Sequence, residues 1–227
     1  KKLQNYHFSF INPYGLGGLG ASTAEFLSLY LFTKQLLTLP DLKNHELVTL
    51  YQSFNSSKGT LPSGADLIAQ YHTGISYFNP AQKKQCSHLW PFETLSLLLF
   101  HTNQKLATHE HLKSLTLNDI IPELKTIAES TYKAFQKGEE KTFTEGIQHY
   151  GKALESSKLI APHTQKILKK IQNDPNILAS KGCGALGADV ILIVCRPQHK
   201  EAITQQFKHN NLPFIADETS LYSPKVC

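Results

Sequence analysis

Apolar residues along the chain follow two rhythms, one helical and one extended. Tyr6-His7-Phe8-Ser9-Phe10-Ile11 reads as a strand. Ala21 to Leu37 reads as a helix with Phe26, Leu27, Leu29, Tyr30, Leu31, Phe32, Leu36 and Leu37 nearly all round it, which predicts a central, buried element. Pro40-Asp41 ends it, and Leu47, Leu50, Tyr51 and Phe54 then give the i, i+3, i+4, i+7 spacing of a second helix. Ser63 stands where it can cap a third helix running to about Tyr71, with Asp66 as its N3 carboxylate. Gly74 precedes a strand over Ile75 to Phe78, Asn79-Pro80 closes it, and Gln82 to Gln85 reads as a solvated turn.

Leu95 to Phe100 is a continuous apolar run, the signature of a buried strand. Three amphipathic helices follow. Leu124, Ile127, Ala128, Thr131 and Phe135 mark the first; Phe143, Ile147, Tyr150 and Leu154 the second; Pro162 to Ile171 the third. Val190 to Val194 is a further apolar strand, Ala202, Ile203 and Phe207 mark a last helix, and Leu212-Pro213-Phe214 opens a strand-like tail. A helical block between two strand-rich regions predicts an α+β unit with a helical layer.

Composition narrows the function. With 227 residues and 41% hydrophobic content the chain can bury a substantial core. The net charge of +5 is carried by lysine, and Arg196 is the single arginine, so a nucleic-acid role is disfavoured. Mild basicity suits an enzyme that handles anionic small molecules. Cys86, Cys183, Cys195 and Cys227 show no CxxC spacing, which reads as a reducing, cytoplasmic setting. There is no apolar run long enough to span a membrane, so no membrane partner is expected. His109-Glu110-His111 lacks the i, i+4 spacing of a helical metal pair and reads as surface.

The chemistry concentrates in Pro13-Tyr14-Gly15-Leu16-Gly17-Gly18-Leu19-Gly20-Ala21-Ser22-Thr23-Ala24. A glycine-rich loop opening a helix is a ready anion site: glycine permits close approach, and the helix start offers unpaired N–H groups. Ser22 and Thr23 add hydroxyls for phosphate or magnesium. Glu25 is either a carboxylate favouring the helix dipole or a magnesium ligand. No Gly-Lys pair followed by Ser or Thr exists, which removes a Walker A loop. Gly15, Gly17 and Gly20 satisfy the dinucleotide fingerprint, but Asp41 follows a helix rather than ending a second strand.

A third pattern fits better. Pro13 to Ala24 resembles the second motif of the GHMP kinases, a group that includes galactokinase, homoserine kinase, mevalonate kinase and phosphomevalonate kinase. That motif is written Pro-x-x-x-Gly-Leu-Gly-Ser-Ser-Ala; here Gly18-Leu19-Gly20 matches, Ala21 replaces the first serine and Ser22 is the second. Ser63-Gly64-Ala65-Asp66 resembles the Ser-Gly-x-Asp of the mevalonate and phosphomevalonate branch. Lys181-Gly182-Cys183-Gly184-Ala185-Leu186-Gly187-Ala188-Asp189 resembles the third motif, with Leu186 and Ala188 in place of two glycines.

The resemblance implies an α+β, two-layer GHMP-kinase fold, with a ribosomal protein S5 domain 2-like N-terminal part and a ferredoxin-like C-terminal part. Residues 1–80 would be the remainder of the N-terminal domain and 81–227 the C-terminal domain, with a further portion expected ahead of residue 1. It also implies transfer of the γ-phosphoryl group of ATP, with Mg²⁺, to an alcohol or phosphate acceptor of the mevalonate or phosphomevalonate type, by a cytoplasmic monomer or homodimer. Gly15, Gly17, Gly18, Leu19, Gly20, Ala21, Ser22 and Thr23 would hold the nucleotide, and Asp66 would be the catalytic base. Ser63, Gly64, Lys105, Gly184, Ala185 and Gly187 would meet the acceptor, and Ser22 and Glu25 the metal. A glutamate that often precedes the Ser-Gly-x-Asp motif has no close counterpart; Gln52 and Asn55 are the nearby polar residues. The rivals are a sugar or amino-acid-alcohol kinase of the same fold, a non-catalytic nucleotide or metabolite sensor, and a dinucleotide oxidoreductase.

Overall fold

The computed structural model describes residues 6–11, 20–55, 61–104, 120–184 and 189–222. Three helices come first: α1 (Ala21–Leu37), α2 (Asn44–Phe54) and α3 (Ala65–Tyr71). They pack around Leu47, Leu67 and Ile68, all with no exposed surface, together with Leu27, Val48 and Tyr51. The expectation of an α1 buried nearly all round is corrected. Only Thr23 and Leu27 are buried, while Leu29 and Leu37 are about two-fifths exposed. One face of α1 meets α2 and α3; on another, Phe32 takes the rings of Tyr6 and Phe8 edge-on at 5.0 Å. Those same rings explain a second correction: residues 6–11 form no strand, and their aromatic side chains rest on α1.

Strands β1 (Ile75–Asn79) and β2 (Lys84–His88) pair antiparallel, from Ile75 opposite His88 to Asn79 opposite Lys84. The solvated turn expected over Gln82 to Gln85 is therefore shorter, since Lys84 and Gln85 already belong to β2. The expected division at residue 80 falls in the turn of this hairpin.

The second half is built on an antiparallel sheet in the order β4-β5-β3-β6: β3 (Ser96–His101), β4 (Ile177–Cys183), β5 (Val190–Cys195) and β6 (Phe214–Asp217). Helices α4 (Ile121–Lys137), α5 (Glu140–Ser156), α6 (Pro162–Ile171) and α7 (Lys200–His209) flank it. Side chains alternate across a strand. Leu98, Phe100, Ile191, Ile193 and Cys195 accordingly pack with Ile171 of α6 and Ile203 and Phe207 of α7. Val194 and Ala179 pack with Ala134 and Phe135 of α4 and Phe143 of α5. Helices on both faces are why β5 reads Val-Ile-Leu-Ile-Val with no polar alternation. No helix among the described residues is long and apolar enough to cross a membrane.

Candidate active site

Helix α1 starts at a glycine. Gly20 is its N-cap with φ +73°, in the left-handed region, and no side chain caps the helix. A side chain at Gly20 would be strained there, and its Cβ would lie 2.4 Å from Gln70 Nε2. The Gly20 carbonyl is heavily used. It accepts the Ala24 N–H at 2.9 Å, the Thr23 hydroxyl at 2.6 Å and the Gln70 side-chain amide at 3.0 Å. Thr23 is buried and its hydroxyl proton is spent on that carbonyl, whereas Ala21 and Ser22 are exposed. Ser22 is thus the open hydroxyl of a turn whose first N–H groups have no partner within the helix.

Glu25, read above as a carboxylate favouring the helix dipole, lies beyond the first turn of α1, which holds no acidic residue. It lies one turn in, exposed, and lines with Ser22 an apolar cleft of about 590 Å³ between α1 and α2. Residues three apart share a helix face. Magnesium usually takes one or two side-chain oxygens and completes its shell with phosphate and water, so a hydroxyl and a carboxylate so placed fit that ion. Among the described residues no three metal-binding side chains of the His, Cys, Asp and Glu type gather in one place.

Helix α3 also starts at a left-handed glycine, Gly64, with φ +78°. Its Cβ would meet the Val48 methyls at 2.7 and 2.9 Å, so only glycine lets α3 seat on α2. Ser63 is not the cap residue. Its Oγ accepts the Ala65 N–H at 3.2 Å, and the register moves Asp66 one place nearer the helix start than expected. Leu67 and Ile68 fix the helix in the core and leave Asp66 exposed in the first turn. Asp66 and Gln70 are four apart and so share a face, about 6 Å apart along the axis. Since Gln70 reaches Gly20, α3 is fixed to the start of α1 one turn beyond Asp66. Gln70 was missed in the sequence; its spacing from Asp66 was the available signal. Gln52, considered near the metal, is spent on structure, its amide donating to the Pro62 carbonyl at 2.8 Å.

Asp41 is an ion-pair partner of Lys34 and accepts the Tyr71 hydroxyl at 3.3 Å. The hydrogen bond from Lys34 lowers its pKa. It sits after α1 rather than at a strand end, out of place for a ribose.

The third stretch is the β4–β5 hairpin. Lys181, Gly182 and Cys183 finish β4, and Cys183 pairs with Val190. The end of β3 supports its turn: Thr102 N–H donates to the Asp189 carbonyl at 3.0 Å. Asp189 is buried with Oδ1 unpaired, and Gly184 lies against its carboxylate. Sequence reasoning did not foresee this Thr102–Asp189 link. Gly15, Gly17, Gly18, Leu19, Lys105, Ala185 and Gly187, like His109 and His111, lie outside the described residues.

No family profile and no curated relative matches the sequence. Solved structures do. Phosphomevalonate kinase of Streptococcus pneumoniae, in complex with phosphomevalonate and AMPPNP, superposes with a TM-score of 0.70 at 14% identity over 90% of this chain and 68% of that one. Lactococcus lactis galactokinase complexed with galactose gives 0.70 at 14% identity, over 89% and 65%. L. major mevalonate kinase in complex with R-mevalonate gives 0.63 at 16%, over 84% and 61%. The chain thus spans about two thirds of the length of these kinases. Glycine-capped α1, the α3 seated against it and the four-stranded sheet with its helices together make the fold of the GHMP kinases.

Proposed function

We propose that this protein transfers the γ-phosphoryl group of ATP to an alcohol or phosphate oxygen of a small molecule of the mevalonate or phosphomevalonate type. The observation that carries the reading is the Gln70–Gly20 hydrogen bond, which ties α3, one turn beyond Asp66, to the open start of α1. Phosphate oxygens take the free N–H groups of that helix start and the Ser22 hydroxyl. Ser22 and Glu25 hold magnesium, which when bound neutralises charge on the phosphate oxygens. Asp66 accepts the proton of the acceptor O–H as that oxygen bonds to the γ-phosphorus. The bond from phosphorus to the bridging oxygen breaks, and its electron pair leaves with ADP. Ser63, Gly64, Lys105, Gly184, Ala185 and Gly187 contact the acceptor. The order Ser63-Gly64-Ala65-Asp66 favours the mevalonate branch over the sugar kinases.

The test is ADP release from ATP and magnesium with mevalonate, phosphomevalonate, galactose or homoserine as acceptor. Turnover with one of the first two is expected. Turnover of galactose alone would move the acceptor to a sugar, and absence of both ADP release and ATP binding would overturn the kinase reading.

A further inference from the structure

A second cavity, of about 350 Å³, lies between the β1–β2 hairpin and the α4–α5 pair. None of the described residues assigned above to phosphate, metal or acceptor lines it. Its size falls within the range of small-molecule sites. The walls are largely aromatic. Tyr77 and Tyr132 stack at 3.9 Å between nearly parallel rings, and Phe135 and Phe143 close the inner side. Burial pushes the Tyr132 hydroxyl up to about 12, with Cys86 adding to the shift, so it remains a phenol in contact with His88 at 2.8 Å. Among the described lining residues one lysine supplies a cation: Lys181 Nζ, 5.1 Å from the centre of the Tyr150 ring. No carboxylate is among the described lining residues and no described carboxylate forms an ion pair with Lys181, whose ammonium donates to the Gly182 carbonyl at 3.3 Å.

We propose that this cavity binds a small aromatic carboxylate, its acid group on Lys181 and its ring among the tyrosine and phenylalanine walls. An ammonium that meets a backbone carbonyl but no carboxylate among the described residues, at the edge of an apolar, ring-lined space, selects for that combination: the body replaces poorly hydrated surface, and the charge gains a counter-ion. A neutral ligand of the same shape leaves the ammonium without a counter-ion, and a polyphosphate has no second lysine or arginine among the described lining residues.

Trp90, the single tryptophan, reports on the site, since its ring lies 6.2 Å from that of Phe135 and 5.8 Å from that of Phe143. The experiment titrates the protein with phenylacetate and, separately, phenylacetamide, following Trp90 fluorescence and ligand-observed NMR. Phenylacetate is expected to saturate at least tenfold more tightly than the amide. Lys181→Met should bring the two to equality, Lys181→Arg should keep the preference, and Ala128→Phe, at an exposed position on the cavity rim, should abolish both. Equal affinity for acid and amide, no saturation by phenylacetate, or an acid preference that survives Ala128→Phe would each overturn the proposal. All of these readouts are independent of ATP and of turnover.

Discussion

The side-chain amide of Gln70 donates a 3.0 Å hydrogen bond to the carbonyl of Gly20, fifty residues earlier in the chain. It ties the start of one glycine-capped helix to the side of another. Gln70→Leu removes the link and keeps the bulk. The expected result is a modest loss of stability, about 1 kcal/mol for one hydrogen bond, beside a larger fall in kcat/KM for ATP-dependent turnover. Equal kinetics in variant and parent, measured with a melting curve on the same samples, would make Gln70 a packing residue only.

Asp66→Asn keeps shape and polarity but cannot take a proton. Because Asp66 is exposed and its helix is held by Leu67 and Ile68, the melting temperature should hardly move. Turnover should fall on the order of 10²-fold or more, with ATP affinity preserved. Steady-state kinetics and ATP titration on the variant decide this.

Ser22 makes no capping bond, and Gly20 holds the cap position. Ser22→Ala should therefore leave stability within about 0.5 kcal/mol. The KM for magnesium-ATP should rise. A clear drop in melting temperature with unchanged KM would assign Ser22 a structural role instead.

Gly64→Ala is expected to be among the costlier single substitutions in the helical cluster. The left-handed backbone adds about 1–2 kcal/mol, and contact with the Val48 methyls at 2.7 Å about 1–3 kcal/mol of overpacking. In the double variant with Val48→Ala the steric part should be relieved and the backbone part should remain, as read by chemical denaturation.

Lys200 bridges two acids, Asp217 at 2.7 Å and Glu218 at 3.1 Å, while Glu218 also accepts the Leu97 N–H at 2.9 Å. For Asp217 burial works upward, but hydrogen bonds from Lys200 and Thr219 outweigh it and leave the pKa below the ordinary 3.8. A lowered carboxylate binds fewer protons in the folded state. Its stabilisation is therefore complete above pH 3.8 and is lost as pH falls through the lower folded value. Lys200→Met should lower stability at neutral pH and flatten this acid limb, which melting curves between pH 7 and pH 2 will show.

The elements that carry long periodic runs were legible from the residues alone: α1 and α6 begin and end where their patterns do. β2 was not. Lys84-Gln85-Cys86-Ser87-His88 has no apolar alternation and becomes a strand by pairing with β1. Tyr6 to Ile11 misled in the other direction, since aromatic residues that favour a pleated surface find Phe32 of a helix instead. Within the site, Gly20, Ser22, Gly64 and Asp66 stood out because glycine and hydroxyl residues sit at helix starts. The bonds that set them in place, Gln70 to Gly20 and Thr102 to Asp189, join segments far apart in sequence and leave no local pattern.

The sheet order has a kinetic consequence. β3 is flanked by β5 and β6, whose residues 190–195 and 214–217 come long after it in the chain. During synthesis, Ser96 to His101 emerges as an apolar ribbon with neither neighbour yet made. The α1–α3 cluster can collapse from local contacts, and the α4–α5 pair can dock early across its short connection. Closing the sheet around β3 has to wait for these distant contacts, which makes it the slow, aggregation-exposed step.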